Sequence, residues 1–168
     1  MKETEVKFLE INAKAIETSL IKIGAKKIFD GYIYGERYDF KDRRLMKAGK
    51  LLRLRKKGDK AELTFKIPIS QDKAKVAEEL ESEVDDMNAV GEILRSLGIS
   101  CVKKYKKKRI SYKLGKVRFE IDTCPGIPTF LEIEAQSAEM IEEYAKKIGL
   151  DMKDAKPWTG AELMKHYK

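Results

Sequence analysis

Near its start the chain has the sequence Lys2-Glu3-Thr4-Glu5-Val6-Lys7-Phe8-Leu9, in which charged and uncharged side chains alternate. Successive side chains of a β-strand point to opposite faces of the sheet, so Glu3, Glu5 and Lys7 share one face and the uncharged residues share the other. The segment therefore predicts a strand that buries one face and carries three charges on the other.

In three places a Glu-x-Glu pair on a predicted strand precedes a helical pattern that ends at a glycine. The pairs and their glycines are Glu3/Glu5 with Gly24, Glu81/Glu83 with Gly98, and Glu132/Glu134 with Gly149. A repeated unit of this kind predicts a pseudo-symmetric barrel of similar strand–helix modules. We expect one domain over residues 1–168, with halves of about 1–70 and 76–168.

Charged faces recur on seven predicted strands, and they carry both signs. A single charged strand face is usually exposed to solvent, but closing such a sheet places the charges inside a barrel and the apolar faces beneath outer helices. The sequence thus favours an α+β barrel with a charged interior. Residues 41–50, and Pro68 together with the polar residues 70–75, predict loops between strands.

Composition limits the chemistry that this interior can perform. The chain has 168 residues, of which 38% are charged, against roughly 25% in an ordinary soluble domain. Its two cysteines are predicted to be plain thiols, and its one histidine, His166, is close to the C-terminus, which argues against a catalytic triad or a multi-histidine metal site. The net charge of +8 favours an anionic partner. The start of the chain has no apolar signal segment, and a cytoplasmic, non-membrane protein is expected.

A mixture of carboxylates and cationic groups in one cavity fits a metal-bound polyanion. Carboxylates about 5 Å apart repel each other by roughly 3 kcal/mol at an effective dielectric constant near 20, so a cluster of them favours a hard cation such as Mg²⁺ or Mn²⁺. Guanidinium and ammonium groups bind phosphate oxygens. A triphosphate with its divalent cation satisfies both sets.

The ordered motifs resemble those of the CYTH, or triphosphate tunnel metalloenzyme, superfamily, which includes class IV adenylyl cyclases, thiamine triphosphatases and inorganic triphosphatases. They span residues 1–135, and a C-terminal helix is expected beyond them. One departure is Pro125-Gly126-Ile127-Pro128, where a glycine-rich turn is expected. The matching segments are Glu3-x-Glu5-x-Lys7, Tyr38-Asp39, Leu52-Arg53-Leu54-Arg55, Leu63-Thr64-Phe65-Lys66, Glu81-x-Glu83, Lys107-x-Arg109, Asp122 and Phe130-Leu131-Glu132-Ile133-Glu134.

The resemblance implies a closed eight-stranded antiparallel β-barrel with helices packed outside, and it implies roles for individual residues. The triphosphate would be bound by Lys7, Arg53, Arg55, Lys66 and Arg109, with Lys107 as an assisting group. A divalent cation, Mg²⁺ or Mn²⁺, would be held by Glu3, Glu5, Glu81, Glu83, Asp122, Glu132 and Glu134. The residues closest to the chemistry would be Glu3, Glu5, Lys7 and Glu134.

Two reactions stay open at this point. A class IV adenylyl cyclase would convert ATP to cyclic AMP and pyrophosphate, and this is the preferred reaction; a thiamine or inorganic triphosphatase would hydrolyse the triphosphate. A hypothesis of another class is a non-catalytic binder of polyphosphate or RNA, suggested by the basic run 103–109, although the acidic pairs argue against nucleic acid. Either a monomer or a homodimer is compatible with the sequence. Candidates for stacking on an organic ring are Tyr32, Tyr34, Tyr38 and Trp158.

Overall fold

The computed structural model describes residues 2–167 and contains eight strands and five α-helices within them. The strands are β1 (Lys2–Phe8), β2 (Lys26–Phe40), β3 (Leu51–Lys57), β4 (Lys60–Gln71), β5 (Lys75–Val84), β6 (Ile99–Leu114), β7 (Val117–Thr123) and β8 (Phe130–Ala135). The helices are α1 (Ala13–Lys22), α2 (Arg44–Lys47), α3 (Met87–Ser96), α4 (Ala138–Lys147) and α5 (Gly160–His166), with a 3₁₀ turn at Met152–Asp154.

The eight strands form one closed barrel in the order β1-β5-β4-β3-β2-β6-β7-β8, and every neighbouring pair is antiparallel. The predicted eight-stranded antiparallel barrel with outer helices is confirmed. In this order β1 lies four strands from β2 in either direction, so β1 and β2 face each other across the barrel. Inward-facing charges on these two strands therefore lie on opposite sides of the interior.

Each predicted strand–helix–glycine unit is present. Asn12, Asp86 and Ser137 cap α1, α3 and α4, because each side chain accepts a hydrogen bond from a backbone N–H of the first helical turn. The backbone after each helix turns through a glycine with positive φ, between 78° and 83°, a conformation that glycine adopts without a Cβ clash. The pseudo-symmetry of the two halves stays a prediction.

Apolar residues form two cores of unequal size between the barrel wall and the outer helices. The larger core contains sixteen buried residues, including Val6, Leu20, Phe119 and Ile141, and fills the space beneath α1 and α4. The smaller core lies beneath α3 and has three buried residues, Tyr38, Leu54 and Leu94. The hydrophobic effect thus stabilises a shell around the barrel, which leaves the interior free for charged groups.

Two predicted loops are partly regular structure. Within residues 41–50 the chain forms α2, whose first N–H groups at Leu45 and Met46 donate to the buried carboxylate of Asp39 at 3.0 Å each. Pro68 does not end its strand: β4 continues to Gln71, and a register shift between Pro68 and Ser70 accommodates the missing N–H.

The C-terminal residues return to the barrel. The backbone of Lys156 forms two hydrogen bonds with that of Lys7, at 2.8 and 2.9 Å, and so makes an isolated antiparallel bridge to β1. Thr159 and Glu162 form a capping box at the start of α5, and Glu162 also accepts hydrogen bonds from Gln71. Within residues 2–167, no helix has the length and apolar character needed to span a membrane.

Candidate active site

A cavity of about 860 Å³ occupies the barrel, and we call it the tunnel. It is lined by charged residues from all eight strands and by Gly160, Leu163 and Met164 of α5. Strand alternation explains the lining, because the odd-numbered residues of β1 and β3 face inward while Val6 and Leu54 pack in the outer cores. The charged faces predicted from the sequence therefore line the interior.

One side of the tunnel, formed by β5, β1 and β8, carries a concentration of carboxylates. In the register of β1 with β8, Glu5 lies opposite Glu134 and Lys7 lies opposite Glu132. Like charges in directly opposed positions destabilise a sheet unless other groups neutralise them. We call this side the acidic wall; its members are Glu3, Glu5, Glu79, Glu132 and Glu134.

Three lysines neutralise much of the acidic wall. Lys7 Nζ lies 2.7 Å from Glu5 and 2.9 Å from Glu132, and Lys75 Nζ lies 2.9 Å from Glu5. Lys66 forms an ion pair with Glu3 and a longer one, at 3.4 Å, with Glu79. Charged pairs removed from water require such close geometry, because the cost of desolvation is otherwise larger than the attraction.

The carboxylates of this wall have different proton affinities. Burial raises the pKa of Glu3 to about 7, and the neighbouring Glu5, Glu134 and Glu79 add to the effect of burial while Lys66 opposes it. Burial and Glu132 also raise the pKa of Glu5, but Lys7, Lys75 and Lys66 outweigh them and bring it to about 2. At Glu3, burial and the neighbouring carboxylates therefore outweigh the lysine, whereas at Glu5 the three lysines outweigh burial and the neighbouring carboxylate.

Glu134 is the least neutralised member of the wall. Within residues 2–167 no cationic nitrogen lies within the 4 Å of an ion pair with its carboxylate. Burial raises its pKa, Glu132 and Glu79 add to that effect, and the more distant Arg118 and Lys66 oppose it. A carboxylate in this position favours a neighbouring cation.

The opposite side of the tunnel, on β2 and β3, is basic. Arg37 and Arg53 are directly opposed in the register of these strands, and Arg55 follows on the same face of β3. We call Arg37, Arg53 and Arg55 the basic wall. The Nε atoms of Arg37 and Arg53 are buried and have no hydrogen-bond partner within the described chain. Burial lowers the pKa of Arg55 to about 10, and the neighbouring Arg53 and Arg109 contribute in the same direction.

A third group of charges is almost completely buried between β6, β7 and β8. Arg109 donates to Asp122 at 2.5 and 2.6 Å, forms an ion pair with Glu120, and lies 3.6 Å from Glu132. Lys107 Nζ lies 2.7 Å from Asp122. Burial, and then Arg109, lower the pKa of Lys107. These residues form a closed network in which most charges already have partners.

Comparisons with known proteins agree with this geometry. The family model of the CYTH domain matches residues 1–155. The chain belongs to the CYTH domain family. A protein of Methanocaldococcus jannaschii named "putative adenylate cyclase" is 28% identical over 146 residues, which is 85% of this chain and 82% of that protein.

Solved structures share the fold over nearly the whole chain. The PH1012 protein of Pyrococcus horikoshii OT3 has a TM-score of 0.81 at 29% identity, with 96% of this chain and 98% of that chain covered. A Hippeastrum protein described as a "putative adenylyl cyclase" with a dominant triphosphatase activity has a TM-score of 0.65 at 16% identity, with 99% and 96% covered. The second similarity concerns the fold.

Within this CYTH barrel, the structure brings most of the predicted site residues together. The residues among them that line the tunnel are Glu3, Glu5, Lys7, Arg53, Arg55, Lys66, Glu81, Lys107, Arg109, Glu132 and Glu134. Their roles as ligands stay predictions. Arg109 differs from the others, because it already forms ion pairs with three carboxylates, those of Glu120, Asp122 and Glu132.

Two predicted metal ligands are placed elsewhere. Glu83 lies at the outer end of its strand face, where its side chain is 60% exposed and pairs with Lys60 at 2.8 Å, outside the tunnel lining. Asp122 is fully buried and serves as the carboxylate partner of Arg109 and Lys107, which hold its pKa below the usual value against the opposing effect of burial. The geometry therefore argues against both as open ligands.

Sequence reasoning missed several tunnel residues. Arg37 and Tyr105 both line the tunnel. They were missed because Arg37 stands in a strand dominated by aromatic residues and Tyr105 stands in a run of lysines. Alternation identifies both, because Tyr105 shares a face with Lys107 and Arg109. The aromatic residues that were candidates for ring stacking do not line the tunnel; these are Tyr32, Tyr34, Tyr38 and Trp158.

The residues present fit a hard divalent cation by their chemistry. The acidic wall supplies only carboxylate oxygens, the ligand type that Mg²⁺ and Mn²⁺ prefer, and Glu134 has no cationic nitrogen close enough to satisfy it. Among residues 2–167 no three acidic, cysteine or histidine side chains are already gathered in a metal-ligating cluster. Amines occupy the intervening positions, so carboxylates would change partner when a cation binds.

Proposed function

We propose that this protein is a divalent-cation-dependent enzyme that acts on a nucleotide or organic triphosphate bound inside the tunnel. The observation that carries the proposal is the opposition of two charged walls across one cavity. On the basic wall, Arg37 and Arg53 have buried Nε atoms without partners. Buried donors of this kind are costly unless a ligand satisfies them, and a phosphate chain offers the matching acceptors.

The acidic wall would hold the cation that accompanies this polyanion. Glu3 and Glu134 are the best candidates, because burial and then neighbouring carboxylates raise the pKa of each, and a bound cation would favour the ionised form. Bound there, Mg²⁺ or Mn²⁺ would neutralise phosphate oxygens and orient the attacking group. Glu5 stays ionised beside Lys7 and Lys75 and keeps both amines oriented.

Lys7, Lys66, Arg53 and Arg55 would position the triphosphate and stabilise the charge that develops at phosphorus. Phosphoryl transfer depends chiefly on positioning and electrostatic stabilisation, which a preorganised cluster of ammonium and guanidinium groups supplies. The tunnel also excludes much of the bulk water, since Lys7 is 3% exposed and Glu5 is 4% exposed. Coulombic interactions with the substrate are stronger in such a site.

Two reactions fit this site, and different observations favour them. The position of four aromatic candidates outside the tunnel lining favours hydrolysis, because none of these four is placed to stack on an organic ring in the tunnel. The name of the relative from Methanocaldococcus jannaschii favours cyclisation of ATP to cyclic AMP and pyrophosphate. The fold occurs in a Hippeastrum protein described with a dominant triphosphatase activity, so the architecture accommodates hydrolysis.

The test is to incubate the purified protein with Mg²⁺ or Mn²⁺ and with ATP, thiamine triphosphate or tripolyphosphate in parallel. Release of orthophosphate indicates hydrolysis, and formation of cyclic AMP with pyrophosphate indicates cyclisation. Arg53→Ala serves as the matched variant, because it removes one tunnel guanidinium and leaves the lysine ion pairs of the acidic wall in place, with loss of the 3.9 Å ion pair between Arg53 and Glu79. Tight binding of RNA or polyphosphate without turnover of any triphosphate would instead support a non-catalytic binding protein.

A further inference from the structure

Tyr105 places an aromatic ring inside a tunnel otherwise dominated by charged groups. It lies on β6, directly opposite Gly35 of β2 in the strand register. The ring contributes to the tunnel lining, and the guanidinium of Arg37 lies 5.8 Å from its centroid. Tyr105 thus belongs to the same side of the tunnel as the basic wall.

The absence of a side chain at Gly35 explains how the ring fits. A methyl group at position 35 would overlap Cζ, Cε1 and the hydroxyl oxygen of Tyr105, so the ring occupies the space that any other residue would fill. The φ of Gly35 is not positive, which means that backbone conformation does not demand glycine at this position. The demand comes from the close approach of Tyr105.

The hydroxyl group of Tyr105 lies among guanidinium groups. It interacts electrostatically with Arg37, Arg55 and Arg109. Within residues 2–167 it has no hydrogen-bond partner. By contrast, the hydroxyls of Tyr38, Tyr112 and Tyr167 each donate to a glutamate at 2.6 to 2.9 Å. Arginine supplies only donors, so an anionic oxygen is the acceptor that suits the hydroxyl here.

We infer that Tyr105 contacts the substrate: its hydroxyl donates a hydrogen bond to a phosphate oxygen that Arg37 and Arg55 also bind, and Gly35 keeps the ring in place. This inference rests on the proposed function and adds a neutral donor to the charged groups of the tunnel. A hydroxyl group donates one hydrogen bond to one phosphate oxygen, whereas a guanidinium group presents several N–H donors and often binds two oxygens at once.

The test compares Tyr105→Phe with Tyr34→Phe for turnover of tripolyphosphate and of ATP. Tyr34 is a matched control because its ring is exposed on the outer face of β2, beside Lys106. Removing a hydrogen bond to a charged group should lower kcat/KM about tenfold for both substrates in Tyr105→Phe. Tyr34→Phe should keep wild-type values, and the melting temperature of both variants should stay unchanged.

A double-variant cycle tests the contact between the ring and Gly35. Gly35→Ala should lower kcat/KM at least as much as Tyr105→Phe, because the added methyl group displaces the ring. Tyr105→Ala removes the ring and makes room for that methyl group, so Gly35→Ala in this background should have little further effect. Fully additive losses would overturn the proposed packing.

The outcomes separate this inference from the proposed function. A wild-type protein that neither binds nor turns over a triphosphate would overturn the proposed function and this inference with it. An active wild-type protein whose kinetics are unchanged in Tyr105→Phe would overturn the role of Tyr105 alone. Loss of ATP turnover in Tyr105→Ala, with Tyr105→Phe unaffected and tripolyphosphate turnover normal, would also overturn it, because the ring would then stack on the base.

Discussion

The two walls of the tunnel solve the problem of buried charge in different ways. On the acidic wall, carboxylates lie beside lysines, and the single carboxylate of Glu5 contacts two ammonium groups. The basic wall sets Arg37 directly beside Arg53 and leaves the Nε atom of each without a partner. Lysines neutralise much of the acidic wall within the protein, whereas the basic wall keeps two buried N–H donors for which residues 2–167 supply no acceptor. Under the proposed function, we therefore expect the phosphate chain to bind along β2 and β3 and the cation to bind on the opposite side.

The largest expected effect is the loss of turnover when divalent cations are removed. Without a cation, the carboxylates of the acidic wall would repel the phosphate chain that the basic wall attracts. Excess EDTA should therefore lower the turnover of tripolyphosphate on the order of a thousandfold, and added Mg²⁺ should restore it. Full activity in EDTA, measured as phosphate release, would show that the acidic wall needs no metal.

Substitution of the basic wall should have the next largest effect. Arg53→Ala removes a partly buried guanidinium whose Nε lacks a partner, so kcat/KM should fall roughly 10- to 100-fold, with both a higher KM and a lower kcat. Arg95→Ala, on the exposed surface of α3, provides the control and should have wild-type kinetics. Equal activity of the two variants would place the substrate away from β3.

Glu134→Gln tests whether the acidic wall is built for a cation. The substitution keeps the shape of the side chain but removes one charge from a crowded group, so the affinity for Mg²⁺ should fall about tenfold. Relief of repulsion should leave the metal-free protein as stable as the wild type or more stable, by on the order of 1 to 3 kcal/mol. Titration of turnover with Mg²⁺ and thermal melts in EDTA measure the two effects.

Glu83→Gln is the matched control for this variant. Its carboxylate is exposed, pairs with Lys60 and lies outside the tunnel lining, so activity should be unchanged and stability should fall by only about 0 to 1 kcal/mol. If Glu134→Gln behaves like Glu83→Gln, with normal Mg²⁺ dependence, then Glu134 does not bind the cation.

The smallest expected effect is a pH dependence of stability in the absence of metal. The pKa of Glu3 is raised to about 7, so the folded protein binds this proton more tightly than the unfolded chain does. The resulting stabilisation is complete below the ordinary pKa of glutamate and is lost as the pH rises through about 7. Between pH 5 and 8 the free energy of unfolding of the wild type should therefore fall by on the order of 1 to 2 kcal/mol more than that of Glu3→Gln. Urea denaturation in EDTA measures this difference, and parallel pH profiles would contradict it.

Alternation of charged and apolar residues made the barrel predictable from the sequence. The repeated Glu-x-Glu strands, the helix caps and the glycines after α1, α3 and α4 all correspond to elements of the structure. Pro68 was misleading because a register shift hides its missing N–H, and that is a property of the pairing with β5 rather than of the local sequence. Helix α2 was missed because its N-terminus is stabilised by Asp39 from a preceding strand.

The candidate site was only partly predictable, because alternation identifies an inward face but not how far along the barrel that face stays enclosed. Glu81 and Glu83 share a face, yet only the first lines the tunnel. Ion-pair partners could not be predicted from the sequence either, because the pairing of Asp122 with Arg109 depends on the register of β6 with β7. Alternation places Tyr105 on the inward face, but its close contact with Gly35 depends on the register of β6 with β2.

The unequal cores have a consequence for hydrogen exchange. Strands β2 and β3 carry the basic wall and are backed by the smaller core, with three buried residues, while β1 and β8 rest on the larger one, with sixteen. Less apolar burial means a lower free energy of local opening, so amides of β3 and α3 are expected to exchange before those of β1 and α4. A bound polyanion would bridge the arginines of β2 and β3. The slowing of exchange on ligand binding is therefore expected to be greatest in the half of the barrel that opens most readily on its own.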